Sequence, residues 1–228
     1  MNRVAIVTGG ARGIPRAVAE DLASDGWAVA ICYRKSEADA RDTIEAVEAA
    51  GSRGLALEAD VSDSNACAQF VEAVRREFGP IGALVNGAGP YHRAPILEET
   101  PEAWRSMFDN NLHAAFYMAR LVAPDMIEAG WGRILNFSMA NADRLAAQPM
   151  VTAHIIAKTG LLILTRTLAR KLAPHGVTVN AISPGYIDSA SHDAENLDAI
   201  LPRIPAGRLG TVDDAVRAAR FLFSEVAV

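Results

Sequence analysis

Residues 3–15 read Arg3-Val4-Ala5-Ile6-Val7-Thr8-Gly9-Gly10-Ala11-Arg12-Gly13-Ile14-Pro15. Arg3–Thr8 is short and apolar, and reads as a strand. A glycine-rich turn follows, then a helix to about Ser24. Glycines at such a junction let the backbone come close to a diphosphate. The helix N-terminus adds N–H donors and a favourable dipole. Turns also use glycine for conformation alone. Directly after a first strand, the pattern points to a dinucleotide site.

The rest of the chain repeats the strand-then-helix order. Strands are expected at Ala28–Tyr33, Arg53–Glu58, Gly82–Asn86, Arg133–Ser138 and Val177–Ile182. Helices are expected at Glu37–Ala50, Asp63–Phe78, Pro101–Glu128 and Val151–Leu172. After the sixth strand a loop should run to about Arg208 and a last helix over Val212–Ser224. Strands separated by helices need crossover connections. The expected fold is therefore an α/β, doubly wound parallel sheet (a Rossmann fold) with helices on both faces, as a single domain over residues 1–228. In such sheets ligands bind beyond the carboxyl ends of the strands.

In the helix from Val151, residues 153, 156, 157, 160, 161, 164, 168 and 172 form one apolar stripe, and Leu162 and Ile163 are apolar off it. A helix apolar nearly all round is expected to be buried on two sides, by its own sheet and by another subunit. His154 and Lys158, four apart, project from the same side of its first turns.

Composition narrows the function classes. The chain has 228 residues, half of them hydrophobic, and a net charge of −5. No apolar run reaches the ~18 residues of a membrane span, and the start of the chain has no signal-peptide pattern. The absence of a basic patch argues against nucleic acid as a partner. Cys32 and Cys67 have no metal-ligand spacing, and they read as free, buried thiols of a reducing, cytoplasmic protein. No metal site is expected.

The turn Thr8-Gly9-Gly10-Ala11-Arg12-Gly13-Ile14 resembles the Thr-Gly-x-x-x-Gly-Ile cofactor turn of the short-chain dehydrogenase/reductase family. The resemblance continues in Asn86-Gly87-Ala88-Gly89 (Asn-Asn-Ala-Gly in the family), Lys158-Thr159-Gly160 and Asn180-Ala181-Ile182-Ser183-Pro184-Gly185, so it spans essentially the whole chain. It implies a dinucleotide held by Gly9, Ala11, Arg12, Gly13, Ile14, Asn86, Ala88, Gly89, Lys158, Pro184, Gly185 and Ile187, with Asp60 and Val61 against the adenine. Asp60 alone could equally be a helix N-cap. The family usually has glycine where this chain has Pro15, a residue tolerated in a first helical turn. At the end of the second strand stand Arg34, Lys35 and Ser36 rather than a carboxylate. With Arg12 they suit a 2′-phosphate, so NADP(H) is the expected cofactor. The bland alternative is a solvated charge cluster.

The resemblance also supplies the chemistry. It implies that Ser138 bonds a substrate carbonyl and that Asn111 helps hold a proton-relay water. The family then has Tyr-x-x-x-Lys, the Tyr donating a proton and the Lys lowering its pKa. Here those positions are His154 and Lys158. Neutral imidazole is a poor acid, and a neighbouring Lys disfavours imidazolium. Three outcomes are open. His154 is a slower donor, with activity rising toward acid pH. Tyr91 or Tyr186, both placed to face the substrate, donates instead. Or the fold binds NADPH without turnover, as a sensor or scaffold.

The expected substrate is a small carbonyl compound, a 3-oxoacyl group or another ketone first and a pterin second, as in the pteridine reductases of the family. Arg93 either steers an acidic substrate or faces water. A homodimer or homotetramer is expected through helices 103–128 and 151–172. Family members usually continue, beyond the position of Val228, with a short strand and a Gly-rich tail.

Overall fold

The computed structural model describes residues 3–188 and 197–224. Val4–Thr8 forms β1, and all five of its residues are buried. That follows from its place in the middle of a sheet covered on both faces. Val4 and Ile6 enter one apolar core, while Ala5 and Val7 enter the other, as the two-residue period of a strand requires.

The glycine turn leads into α1 (Gly13–Ser24). There follow β2 (Ala28–Tyr33), α2 (Glu37–Ala49), β3 (Gly54–Glu58), α3 (Ser64–Phe78), β4 (Ala83–Asn86), α4 (Pro101–Phe108), α5 (Ala114–Ala129), β5 (Gly132–Phe137), α6 (Thr152–Leu172) and β6 (Val177–Ile182). The six strands make one parallel sheet in the order β3-β2-β1-β4-β5-β6. This is the doubly wound order, whose direction reverses between β1 and β4. Side chains of α3, α5 and α6 fill one core, with Phe70, Met118, Met126 and Leu172. Side chains of α1 and of α8 (Val212–Phe223) fill the other, with Val18, Leu22, Val216 and Phe223.

Three expectations need correction. The helix expected over 101–128 is not one regular helix: a π-helical turn, Asp109–His113, joins α4 to α5. Such turns are frequent at functional sites. Here the turn coincides with Asn111, whose Nδ2 donates to the carbonyls of Met107 (3.0 Å) and Pro90 (3.2 Å). The stretch after β6 is more than a loop. Ile187–Asp188 (β7) pairs in parallel with Gly210–Thr211 (β8), and between them lies α7 (Leu197–Ile200). Residues 189–196 of the expected loop lie outside the described residues. Third, the inward face of α6 is wider than the apolar stripe: Ala153, Ala157, Leu161 and Leu172 of the stripe are buried together with His154, Lys158 and Thr165, whereas Ile156 of the stripe is 44% exposed.

Candidate active site

The carboxyl ends of β1, β4 and β5 open onto a cleft of about 700 Å³. One wall is the glycine turn and start of α1: Ala11, Arg12, Gly13, Ile14, Pro15 and Arg16. The opposite wall holds Phe137, Ser138, His154, Lys158 and Pro184, and Gly87, Gly89 and Tyr91 lie between the walls.

The turn is fixed by its neighbours. Thr8 Oγ1 accepts the N–H groups of Gly87 and Ala88, each at 3.1 Å, and so ties the end of β1 to the end of β4. Gly9 has φ +69°, and a Cβ there would stand 3.0 Å from the Ala88 backbone. Glycine removes both conflicts. Pro15 has a specific counterpart: a Cβ on Gly87 would lie 2.5 Å from Pro15 Cγ. The proline ring occupies space that Gly87 leaves open.

At the end of β2, Arg34 and Lys35 are exposed and Ser36 starts the next helix. The Arg12 guanidinium contacts Ser36 Oγ and pairs with Asp39 at 2.7 Å. Arg34 pairs with Asp60 at 3.5 Å. Partial burial of Asp60 opposes ionisation, but hydrogen bonds from Ser62 and the charge of Arg34 outweigh it and hold the carboxyl below its usual range. Asp60 does not cap α3; Asp63 does, accepting from Asn65 N–H. Val61 is buried, and its carbonyl accepts from the thiol of Cys67. Cys32 and Cys67 are free and buried. Burial pushes the Cys32 thiol up to about 12.

On the opposite wall, Ser138 Oγ donates to the Lys158 carbonyl at 3.1 Å. Lys158 Nζ donates to the Phe137 carbonyl at 2.6 Å. Among the described residues no carboxylate pairs with this ammonium. Burial lowers its pKa to about 8. His154 is 6% exposed. Burial first, and then the charge of Lys158, lowers its pKa to about 4, with a hydrogen bond to the Pro90 backbone acting the other way. His154 Nδ1 and Asn111 Oδ1 are buried without partners. Buried polar atoms left unpaired are uncommon and costly, and here two of them adjoin one cleft. Tyr91 is 62% exposed, and its ring meets the imidazole edge-on at 5.2 Å.

The sequence-selected residues thus divide. Ala11, Arg12, Gly13, Ile14, Gly89, Tyr91, Ser138, His154, Lys158 and Pro184 share the cleft wall. Asn86, Ala88 and Asn111 support it from behind. Gly185, Tyr186 and Ile187 run on into β7 and are not part of the lining. Sequence reasoning overlooked Thr8, the Pro15–Gly87 fit and the Phe137 carbonyl. It also overlooked the buried chain from Asn86 Nδ2 to Asn136 Oδ1 and from Asn136 Nδ2 to Thr165 Oγ1, both 2.8 Å. For Thr8, Asn86 and Asn136 a polar residue at or beside the end of a strand was the available signal.

Residues 9–228 match the family model described as enoyl-(acyl carrier protein) reductase. The 3-oxoacyl-[acyl-carrier-protein] reductase of Staphylococcus epidermidis is 33% identical over 231 residues, covering 100% of this chain and 93% of that protein. The acetoacetyl-CoA reductase of Shinella zoogloeoides is 37% identical, with 100% and 93% covered. Among solved structures, acetoin dehydrogenase from Salmonella typhimurium superposes with a TM-score of 0.89 at 31% identity, covering 100% of this chain and 90% of that one. An actinorhodin polyketide ketoreductase solved with NADPH gives 0.91 at 28% identity, with 98% and 91% covered. With a doubly wound sheet, a glycine turn facing Ser138 and Lys158, and relatives matched along their length, this chain belongs to the short-chain dehydrogenase/reductase family of oxidoreductases.

Proposed function

We propose that the protein is an NADPH-dependent reductase of ketones, 3-oxoacyl thioesters first among them, working through the cleft that holds Ser138, His154 and Lys158. The observation that carries this reading is the facing of the glycine turn and the Ser138/Lys158 wall across about 700 Å³. The residues fit a dinucleotide. Gly13 has φ +59° with open space where a Cβ would stand, and Gly9 tolerates no Cβ. Gly9, Ala11, Gly13 and Ile14 would receive the diphosphate at the start of α1. Arg12, Arg34, Lys35 and Ser36 would receive a 2′-phosphate, Asp60 and Val61 would lie by the adenine, and Lys158, Asn86, Ala88, Gly89, Pro184, Gly185 and Ile187 would lie along the ribose and nicotinamide. When bound, NADPH supplies the hydride.

The chain's own residues orient the carbonyl and handle charge. Ser138 turns its hydroxyl from the Lys158 carbonyl to the substrate oxygen. The Lys158 ammonium stabilises the developing alkoxide electrostatically, an effect that is large where water is excluded. Asn111 steadies the loop at Pro90. Tyr91 flanks the substrate opening. The relatives' names carry the substrate class: a 3-oxoacyl-[acyl-carrier-protein] reductase and an acetoacetyl-CoA reductase.

A second reading, an NADPH-binding protein without turnover, is favoured by the burial of His154, which is 6% exposed; burial and the nearby charge of Lys158 push the imidazole down to about 4. At pH 7 that leaves about 0.1% of it charged. NADPH consumption with a panel of ketones, oxoacyl thioesters and dihydropterins separates the readings. Turnover with oxoacyl thioesters, and tighter binding of NADPH than of NADH, is the expected result. Binding without turnover of any substrate favours the sensor.

The exposed apolar side chains Phe116, Ile156 and Ile163 lie on α5 and α6. A second copy of the chain would cover them through a symmetric contact of the two helices. Among the described residues no helix is long and apolar enough to cross a membrane. A cytoplasmic location completes the proposal.

A further inference from the structure

We propose that the cleft selects ketones with a long apolar tail, and that a ledge built from residues 94–97 and 149–151 holds the tail. The proposal rests on the reductase reading above and names the substrate class within it.

The ledge begins in the sequence. Ala94-Pro95-Ile96-Leu97 and Leu145-Ala146-Ala147-Gln148-Pro149-Met150-Val151 contain no charged residue, although both are connecting segments, which run over the surface. The structure sets their ends side by side, running in opposite directions. Ala94 N–H donates to the Met150 carbonyl and Ile96 N–H to the Pro149 carbonyl, each at 3.0 Å. Ile96, Leu97 and Met150 are 41%, 96% and 37% exposed. Exposed apolar side chains that adjoin one another mark a binding surface, whereas a scattered one does not.

The ledge continues the cleft. Tyr91 stands three residues before Ala94, and His154 four residues after Met150. Both line the cleft, and their rings meet at 5.2 Å. The two segments therefore leave the cleft together, from the Tyr91–His154 contact outward. This continuity commits the ledge to the part of the substrate that projects from the cleft. The side chains assigned above to a second copy, Phe116, Ile156 and Ile163, lie elsewhere, on α5 and α6.

The ledge is also preformed. Val151 N–H and Thr152 Oγ1 donate to the Gln148 carbonyl at 3.1 and 2.8 Å, which fixes one segment to the start of α6. In the other, Glu98 N–H donates to the Pro95 carbonyl at 2.9 Å, and His92 Nε2 stands 3.1 Å from Glu99 Oε1. A hydrocarbon laid on an ordered surface avoids the cost of ordering a loop. A small polar ketone gains nothing there. A 3-oxoacyl thioester has its carrier on one side of the ketone and its hydrocarbon on the other, and the ledge serves the hydrocarbon. Burying one methylene fully is worth ~fourfold in affinity. A ledge covers one side and leaves the other to water, so ~twofold per methylene is expected.

The test is a length series: kcat/KM with NADPH for the N-acetylcysteamine thioesters of 3-oxobutanoate, 3-oxohexanoate, 3-oxooctanoate and 3-oxodecanoate. The small thiol removes the charge of a carrier. The value should rise ~twofold per methylene, on the order of 50-fold across the series. The double substitution Ile96→Ser/Leu97→Ser should cut the decanoate-to-butanoate ratio at least ~5-fold. Phe221→Ser, at a 59% exposed position on α8, should leave that ratio as it is. A second readout needs no turnover: calorimetry with the saturated butanoyl and decanoyl thioesters, the decanoyl binding more tightly to the wild type and losing that advantage in the double variant.

Turnover with equal kcat/KM along the series overturns the ledge and leaves the reductase reading standing. So does a rise that the double variant keeps. A double variant whose particle mass falls in light scattering while the length series keeps its slope also overturns it, because a second copy then covers these side chains. Absence of turnover on every ketone overturns the reductase reading. The ledge is then judged by calorimetry alone, where equal binding of the two saturated thioesters overturns it as well.

Discussion

Replacing His154 with Phe should make the stability of this protein less sensitive to acid. His154 is buried, with Nδ1 unpartnered and Lys158 nearby. Its ordinary pKa of 6.5 falls to about 4 in the folded chain. Below pH 6.5 the unfolded chain takes up a proton here that the folded chain refuses until about pH 4. Stability contributed at this position is thus complete above about 6.5 and drains away as pH falls toward 4. Each pH unit of that gap is worth ~1.4 kcal/mol, which makes the whole loss ~3 kcal/mol.

The assay is urea unfolding of wild type and His154→Phe at half-unit steps from pH 7.5 to 4. Other titrating groups act alike in both proteins and cancel in the difference. The wild type should lose ~3 kcal/mol relative to the variant across the series, a melting-temperature difference of roughly 6–12 °C for a chain this long. A difference between the two proteins that stays constant within ~0.5 kcal/mol would refute the reasoning. It would mean that His154 is charged, or as easily charged, in the folded protein, and the imidazole would return as a proton donor at neutral pH.

Other substitutions test neighbouring parts of the argument. Lys158 is lowered from 10.5 to about 8 by burial, so its folded-state penalty is full below pH 8 and is relieved as pH rises from 8 toward 10.5. Lys158→Met should raise stability at pH 7 by about 1–3 kcal/mol, the lost bond to Phe137 offsetting part of the gain, while binding of NADPH weakens in a fluorescence titration. At Gly87, an added Cβ would meet Pro15 Cγ at 2.5 Å and the Thr8 carbonyl at 2.8 Å. Gly87→Ala should cost about 1–3 kcal/mol and reduce the thermal shift produced by NADPH; an unchanged shift would separate this turn from the cofactor. His154→Tyr, which puts a phenol four residues before Lys158, should increase ketone turnover at pH 7, and stopped-flow or steady-state NADPH oxidation reads the change.

Much of the fold was legible along the chain. Alternation of short apolar runs with helical segments, glycines at the first junction and the absence of hairpin signals leave little besides a parallel sheet with crossovers. The strands Ala28–Tyr33 and Val177–Ile182 have the expected limits. The π-helical turn at Asn111 was not legible, because the side chain within it is held by the carbonyl of Pro90, 21 residues away. The inward face of α6 was legible only in part. Periodicity ranks residues by hydrophobicity, and so it put Ile156 on the buried stripe. The fold buries His154, Lys158 and Thr165 beside Ala153, Ala157 and Leu161 of that stripe, and leaves Ile156 on the surface.

By itself, the sequence determined the fold class and the position of the glycine turn. These depend on residue identity and short spacing, which the chain carries explicitly. Only the tertiary structure decided that Gly87 makes room for Pro15, that Phe137 holds Lys158, and that burial lowers the pKa of both His154 and Lys158. Each of these is a matter of what lies within a few ångströms in space, and in a parallel sheet those neighbours come from strands and helices tens of residues apart.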